Sequence, residues 1–184
     1  MIIELTDNYC DIRSVLKTEC TQFLVDSCAI PLLRSLPQEY NNFQKVKARK
    51  SKHKSFISTV FDKAFQYDQL LERAVFAYTQ VQYTQDDLEP FYIFPVNGYK
   101  FIYCTRIQNS KLDHYDTVNT LIETVQFADE AYDIMAEIFK LSYSSDNLLQ
   151  GLQSDAEILF YDIPYYYAVR TSKYNYNKLI EDLI

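Results

Sequence analysis

The sequence predicts an α+β fold: three main α-helices packed against one or two antiparallel aromatic β-hairpins, with a short C-terminal helix. Three observations lead there. Asn97-Gly98 separates two aromatic runs, 91–96 and 99–106; three long segments repeat apolar residues at helical spacing; and two β-rich runs, Ile158–Tyr161 and Tyr165–Arg170, flank Asp162-Ile163-Pro164.

In chain order, Ile12, Val15, Leu16, Cys20, Phe23, Leu24 and Cys28 define a first helix over 11–29, ending near Pro31 with Cys20 and Cys28 on its apolar face. Ile57, Val60, Phe61, Ala64, Leu71, Ala74, Val75 and Tyr78 mark a second helix over 56–82, with Ser55 as its cap. Asn97-Gly98 offers two adjacent residues that tolerate positive φ, as a type I′ turn requires. Such a turn pairs Val96 with Tyr99, Phe94 with Phe101 and Tyr92 with Tyr103. Pro95 donates no ladder bond, so 91–96 is expected at a sheet edge, with any third strand beside 99–106.

Val118, Leu121, Ile122, Val125, Ala128, Met135, Ile138 and Leu141 define a third helix over 117–141, capped by Asp116. Beyond it, Ser145 can cap a short turn through Leu149, and Ser154 with Glu157 has capping-box spacing. The residues that follow favour strands, read as a second hairpin or a bent strand pair. A terminal helix over 172–183 docks through Tyr174, Leu179, Ile180 and Leu183.

Length and composition set the class. The 184 residues, 48% apolar and 16% aromatic with only two glycines and five prolines, describe one globular domain, 1–184, without a tether. No run of about 18 to 20 apolar residues is present to cross a bilayer, and the acidic start lacks the basic region of a signal peptide. The chain is therefore expected in the cytoplasm of the producing or host cell, away from membranes. Its four cysteines follow no zinc or redox spacing and read as reduced thiols.

Charge is segregated. The net charge is −7, yet Lys45, Lys47, Arg49, Lys50, Lys52 and Lys54 crowd one stretch that contains no acid. These cations precede a helix whose N-terminal dipole they oppose, so helix energetics do not account for them. They read as a solvated loop, as a contact with acidic residues, or as a site for nucleic acid or another polyanion. Asp129, Glu130, Asp133 and Glu137 form an acidic counterpart on the third helix, where like charges at three- and four-residue spacing repel. That face is expected to meet the 45–54 segment or a basic patch on another protein. Among the 17 tyrosines, Tyr165, Tyr166 and Tyr167 are consecutive, and alternation along a strand predicts at least one exposed, an aromatic partner face.

The equipment of most enzymes is missing. Two histidines exclude a histidine-rich metal site, and two glycines cannot build a phosphate-binding loop, so neither metal nor cofactor is expected. Cys104, His114 and Asp116 supply the residue types of a thiol hydrolase without a nucleophile elbow.

One enzymatic resemblance exists. Arg106 at a strand end, Tyr143-Ser144-Ser145, and Asp155-Ala156-Glu157 before Ile158-Leu159-Phe160 resemble, in order, the arginine, serine and acidic signatures of ADP-ribosyltransferases. The resemblance implies Glu157 as catalytic acid and Arg106 as the NAD-binding base, with Ser144 in the serine motif. It departs from that family in the short spacing between serine and acidic segments.

The sequence is thus read as a non-enzymatic macromolecule-binding module whose most expected partner is another protein. In composition it resembles accessory or inhibitory proteins of viruses and bacteriophages. An ADP-ribosyltransferase-like enzyme and a nucleic-acid binder acting through 45–54 are the alternatives, and self-association is left open.

Overall fold

The computed structural model describes residues 8–48, 55–80, 87–106, 128–181 and 183. The described chain runs α1 (Tyr9–Glu19), α2 (Thr21–Asp26), β1 (Leu33–Pro37), β2 (Phe43–Lys47), α3 (Phe56–Phe65), α4 (Leu70–Arg73) and β3 (Val75–Ala77). It continues through β4 (Leu88–Pro95), β5 (Lys100–Tyr103), α5 (Ala128–Ser142), α6 (Leu148–Gln153), β6 (Ile158–Tyr161), β7 (Tyr165–Arg170) and α7 (Tyr176–Ile180). The class is α+β, with a four-stranded sheet in the order β1-β4-β7-β2 and a three-stranded sheet in the order β3-β6-β5. Every described strand pair is antiparallel.

The expected Asn97-Gly98 hairpin does not form. β4 pairs with β1 and β7, whereas β5 pairs with β6 in the other sheet. Only Gly98 of the turn has positive φ, 88°, so the type I′ geometry is absent. The reason is a stronger competitor for the same polar groups, the junction between α1 and α2. The Asn97 amide N–H donates to Glu19 O at 2.7 Å, its side-chain oxygen accepts from Gln22 N–H at 2.9 Å, and Gly98 N–H donates to Gln22 Oε1 at 2.9 Å. Asn97 thereby caps α2 from across the molecule, in place of a local capping side chain. The turn passes the chain from one sheet to the other.

Nor is β4 an edge strand. Pro95 is tolerated between two neighbours because β1 reaches only Tyr92, and Ile93 N–H, on that same side, bonds Leu32 O at 2.9 Å. The Pro95 nitrogen faces that side one step further on, past the end of β1, so no ladder bond is lost. The two late β-rich runs are strands, but they do not pair: β6 joins the small sheet and β7 the large one. Asp162, with φ 65°, lies in the link between them.

Helical periodicity overran its true boundaries twice. Cys20 leaves the helical region at φ −124° and divides the first helix into α1 and α2; its thiol is buried, while Cys28 beyond α2 is exposed. Ser55 caps α3 in a capping box with Ser58, as expected, but α3 stops at Gln66 in the left-handed region. Asp62 then caps α4, accepting from Leu70 N–H at 2.8 Å, and Val75–Ala77 pair with β6 instead of extending a helix. Asp116 and residues 117–127 of the third expected helix lie outside the described residues, as do 81–82 of the second; the rest of the third is α5. Asn147 rather than Ser145 caps α6, and Asn175 caps the short terminal helix α7.

Two apolar clusters organise the interior. In the first, α1 and α2 pack with residues of both sheets, and Phe23 of α2 meets Phe94 and Phe160 edge-on at 6.0 and 6.1 Å. In the second, Phe61 of α3 and Phe139 of α5, 4.8 Å apart, cover Ile102 and Leu159 on the small sheet. The small sheet is therefore buried on both faces, since Ile158 and Phe160 belong to the first cluster. At the end of β7, buried Arg170 ties the large sheet to the β1–β2 connection: it pairs with Glu89 and donates to Gln38 O at 2.8 Å.

Candidate functional site

α5 covers α3 and the small sheet with Met135, Ala136 and Phe139 and turns another side to solvent. On that outward side Ile134 is 38%, Ile138 43% and Leu141 86% exposed. Their spacing of four and three places them in one stripe. Asp129, Glu130, Asp133 and Glu137 are all exposed and run along one edge of it. Asp133 pairs with Lys63 of α3, and among the described residues of the 45–54 segment neither Lys45 nor Lys47 pairs with it. Both partners are largely exposed, so the pair contributes at most about 1 kcal/mol. Asp129, Glu130 and Glu137 have no ion-pair partner among the described residues. The helix therefore presents aliphatic surface beside carboxylates of which, among the described residues, only Asp133 meets a cation.

The basic segment is described only at its start. Lys45 and Lys47 are exposed on β2, and the Lys45 ammonium lies 3.5 Å from the ring centre of Tyr165. That cation–π contact gives Lys45 a structural role within the sheet. Arg49, Lys50, Lys52 and Lys54 lie outside the described residues, as do His53 and His114. The tyrosine run does not form an exposed face. Tyr166 and Tyr167 are buried, and half-buried Tyr165 donates its hydroxyl to Glu19 at 2.8 Å. Alternation failed as a guide because both faces of β7 are covered.

Arg106, Ser144 and Glu157 are distributed around β5. Ser144 forms an isolated bridge with Tyr103, whose other side pairs with Ile158, so Ser144 and Glu157 stand about two strand spacings, roughly 10 Å, apart. Glu157 is 2% exposed and accepts the Tyr78 hydroxyl; the Ser144 hydroxyl donates to Asp146. Arg106 is exposed in the turn after β5. Cys104 is buried in the second cluster.

A cleft that the sequence did not announce lies where α4 and β3 face β1 and β2. Its volume is about 570 Å³, and its walls include Arg34, Tyr40, Lys47, Glu72, Phe76 and Tyr166. Glu72 is 7% exposed, and both of its carboxylate oxygens are buried without a hydrogen-bond partner. Arg34 donates to Phe76 O at 3.0 Å and does not reach Glu72. No sequence signal marked Glu72: it sits inside an apolar helical repeat, where a lone acid reads as surface. Among the described residues, no group of three or more His, Cys, Asp or Glu side chains could hold a metal ion, and no helix is long and apolar enough to cross a membrane.

No protein-family model, curated protein or solved structure matches the chain.

Proposed function

We propose that this chain is a non-enzymatic binding module that engages another protein through the outward face of α5. The observation that carries the reading is the exposed stripe Ile134, Ile138 and Leu141 bordered by four carboxylates. Burying such aliphatic side chains contributes up to about 1.5–3 kcal/mol each. Repulsion along the acidic edge, about 0.2–0.5 kcal/mol per pair in the free helix, is relieved by opposing cations. The occupant that satisfies both features is an amphipathic helix whose apolar stripe is edged by Lys or Arg. Affinity capture with mass spectrometry tests it. A stoichiometric protein partner is expected, lost when Glu137→Lys and Leu141→Ser are combined; retention of the partner by that variant, or recovery of nucleic acid alone, removes the reading.

A second reading, an ADP-ribosyltransferase-like enzyme, is supported by the placement of Ser144 and buried Glu157 on either side of one strand. Incubation with labelled NAD and cell lysate tests it: transfer of label that Glu157→Gln abolishes supports the enzyme, and absence of transfer rejects it.

A further inference from the structure

The two edges of the large sheet differ. At β1, Leu33 exchanges backbone hydrogen bonds with Tyr78 at 2.6 and 2.9 Å, and Arg34 donates to Phe76 O at 3.0 Å, so part of that edge is met by β3 and the residue beyond it. At β2 the ladder leaves backbone groups pointing outward. Asn42 O accepts from Arg170 N–H at 2.8 Å and Ala48 N–H donates to Pro164 O at 3.1 Å, so residues 42, 44, 46 and 48 direct their backbone groups at β7. Lys45 and Lys47, one step out of phase, direct theirs away from the sheet. Both residues are exposed, and among the described residues nothing bonds their N–H or C=O groups. Phe43 has the same orientation but is buried, which confines the accessible edge to Lys45–Lys47. Lysine commonly guards such an edge by standing across it. Lys45 does not, because its ammonium lies 3.5 Å from the ring centre of Tyr165 and 5.8 Å from that of Tyr167, over the neighbouring strand β7. Its side chain is thus drawn toward the middle of the sheet, and the backbone at the edge stays open. Lys47 has no ion-pair partner among the described residues, and β2 contains no acid.

We propose that the outer edge of β2 accepts an extended acidic segment of another protein as an added strand. Backbone bonds to Lys45 and Lys47 hold that segment, and carboxylates at its alternate positions face the two ammonium groups. A second copy of β2 is the poorer occupant, since antiparallel self-pairing sets lysine opposite or diagonal to lysine. This edge and the α5 face are built from different elements, so either can fail alone.

The test uses the full chain with a fluorescein-labelled peptide of alternating valine and glutamate. Its controls are an alternating valine–lysine peptide and a valine–glutamate peptide N-methylated at every residue, which has no backbone donors. The first peptide binds saturably, and each control binds at least about tenfold more weakly. Hydrogen exchange followed by NMR locates the site. With peptide at about ten times its dissociation constant, exchange slows about tenfold at the Lys45 and Lys47 amides and far less at Gln44 and Val46, which already bond β7. Lys47→Pro removes one outward donor without touching the β7 ladder and weakens binding about fivefold or more. The proposal is overturned if millimolar valine–glutamate peptide does not bind, if either control matches it, or if binding leaves the Lys45 and Lys47 amides unprotected. It is equally overturned, in favour of a second copy, if those amides gain protection from protein concentration alone. Undiminished binding by folded Lys47→Pro also rejects it; should that variant not fold, the peptide comparison and exchange pattern on the unaltered chain decide.

Discussion

Gly151 is where a single atom decides packing. A Cβ there would come within 2.8 Å of Tyr103 Cγ and 2.9 Å of Ile158 Cδ1, both in buried side chains. Alanine improves helix propensity by about 1 kcal/mol, but overpacking costs about 1–3 kcal/mol, so the clash prevails. Gly151→Ala should lower stability by about 1 kcal/mol in urea unfolding; an increase would show that α6 can shift outward. The cysteines differ just as sharply. Cys10 and Cys28 are exposed, whereas Cys20 and Cys104 are buried. Native protein should therefore titrate two fast thiols with a disulfide reagent and four after denaturation. Burial, and secondarily the charge of Glu19, push the Cys20 thiol far above its ordinary range. The unfolded thiol ionises first, near pH 8.5, so Cys20's contribution is full below that pH and is lost progressively as pH rises above it. Cys20→Ala should flatten the alkaline side of the stability–pH profile; an unchanged slope would contradict the assignment.

At the scale of elements, what was legible is what local chemistry decides. Ser55 capped α3 as its spacing implied, and β-rich Ile158–Tyr161 and Tyr165–Arg170 became strands. Illegible were the choices made by tertiary partners. Asn97-Gly98 has the composition of a hairpin turn, yet the free N–H groups at the start of α2 claim Asn97, and β4 and β5 enter different sheets. The apolar repeat through Leu71, Ala74 and Val75 continues with helical spacing, but left-handed Gln66 and Gln69 turn it into a short helix and a strand. Asn97→Ala removes the remote cap and should cost about 1–2 kcal/mol, measured by chemical denaturation. Asn97→Asp keeps the accepting oxygen and should restore most of that loss. Equal loss in both variants would assign the effect to the Asn97 side-chain N–H, which donates to Thr18 O at 3.2 Å and is missing from both.

For the whole molecule, charge segregation was legible and its use was less so. Acidic residues at 129, 130, 133 and 137 were visible as a face, but the aliphatic stripe beside them emerged only when packing showed which side of α5 is covered. Ile138 and Leu141 read in sequence as core residues, since periodicity cannot separate a buried stripe from an exposed one on the same helix. The Tyr165–Tyr167 run misled in the opposite sense, because the second face of the large sheet is also covered. Glu72 was invisible for the same reason, as its isolation arises from elements distant in sequence. The proposed docking surface is the outward face of α5. Quantitative capture of the protein partner by the unaltered chain and by Glu137→Lys/Leu141→Ser, with circular dichroism confirming equal helicity, tests it most directly. Docking through this face makes the double variant lose about tenfold or more in affinity, from removal of one buried aliphatic group and reversal of one charge. Undiminished capture by the equally folded variant would contradict it.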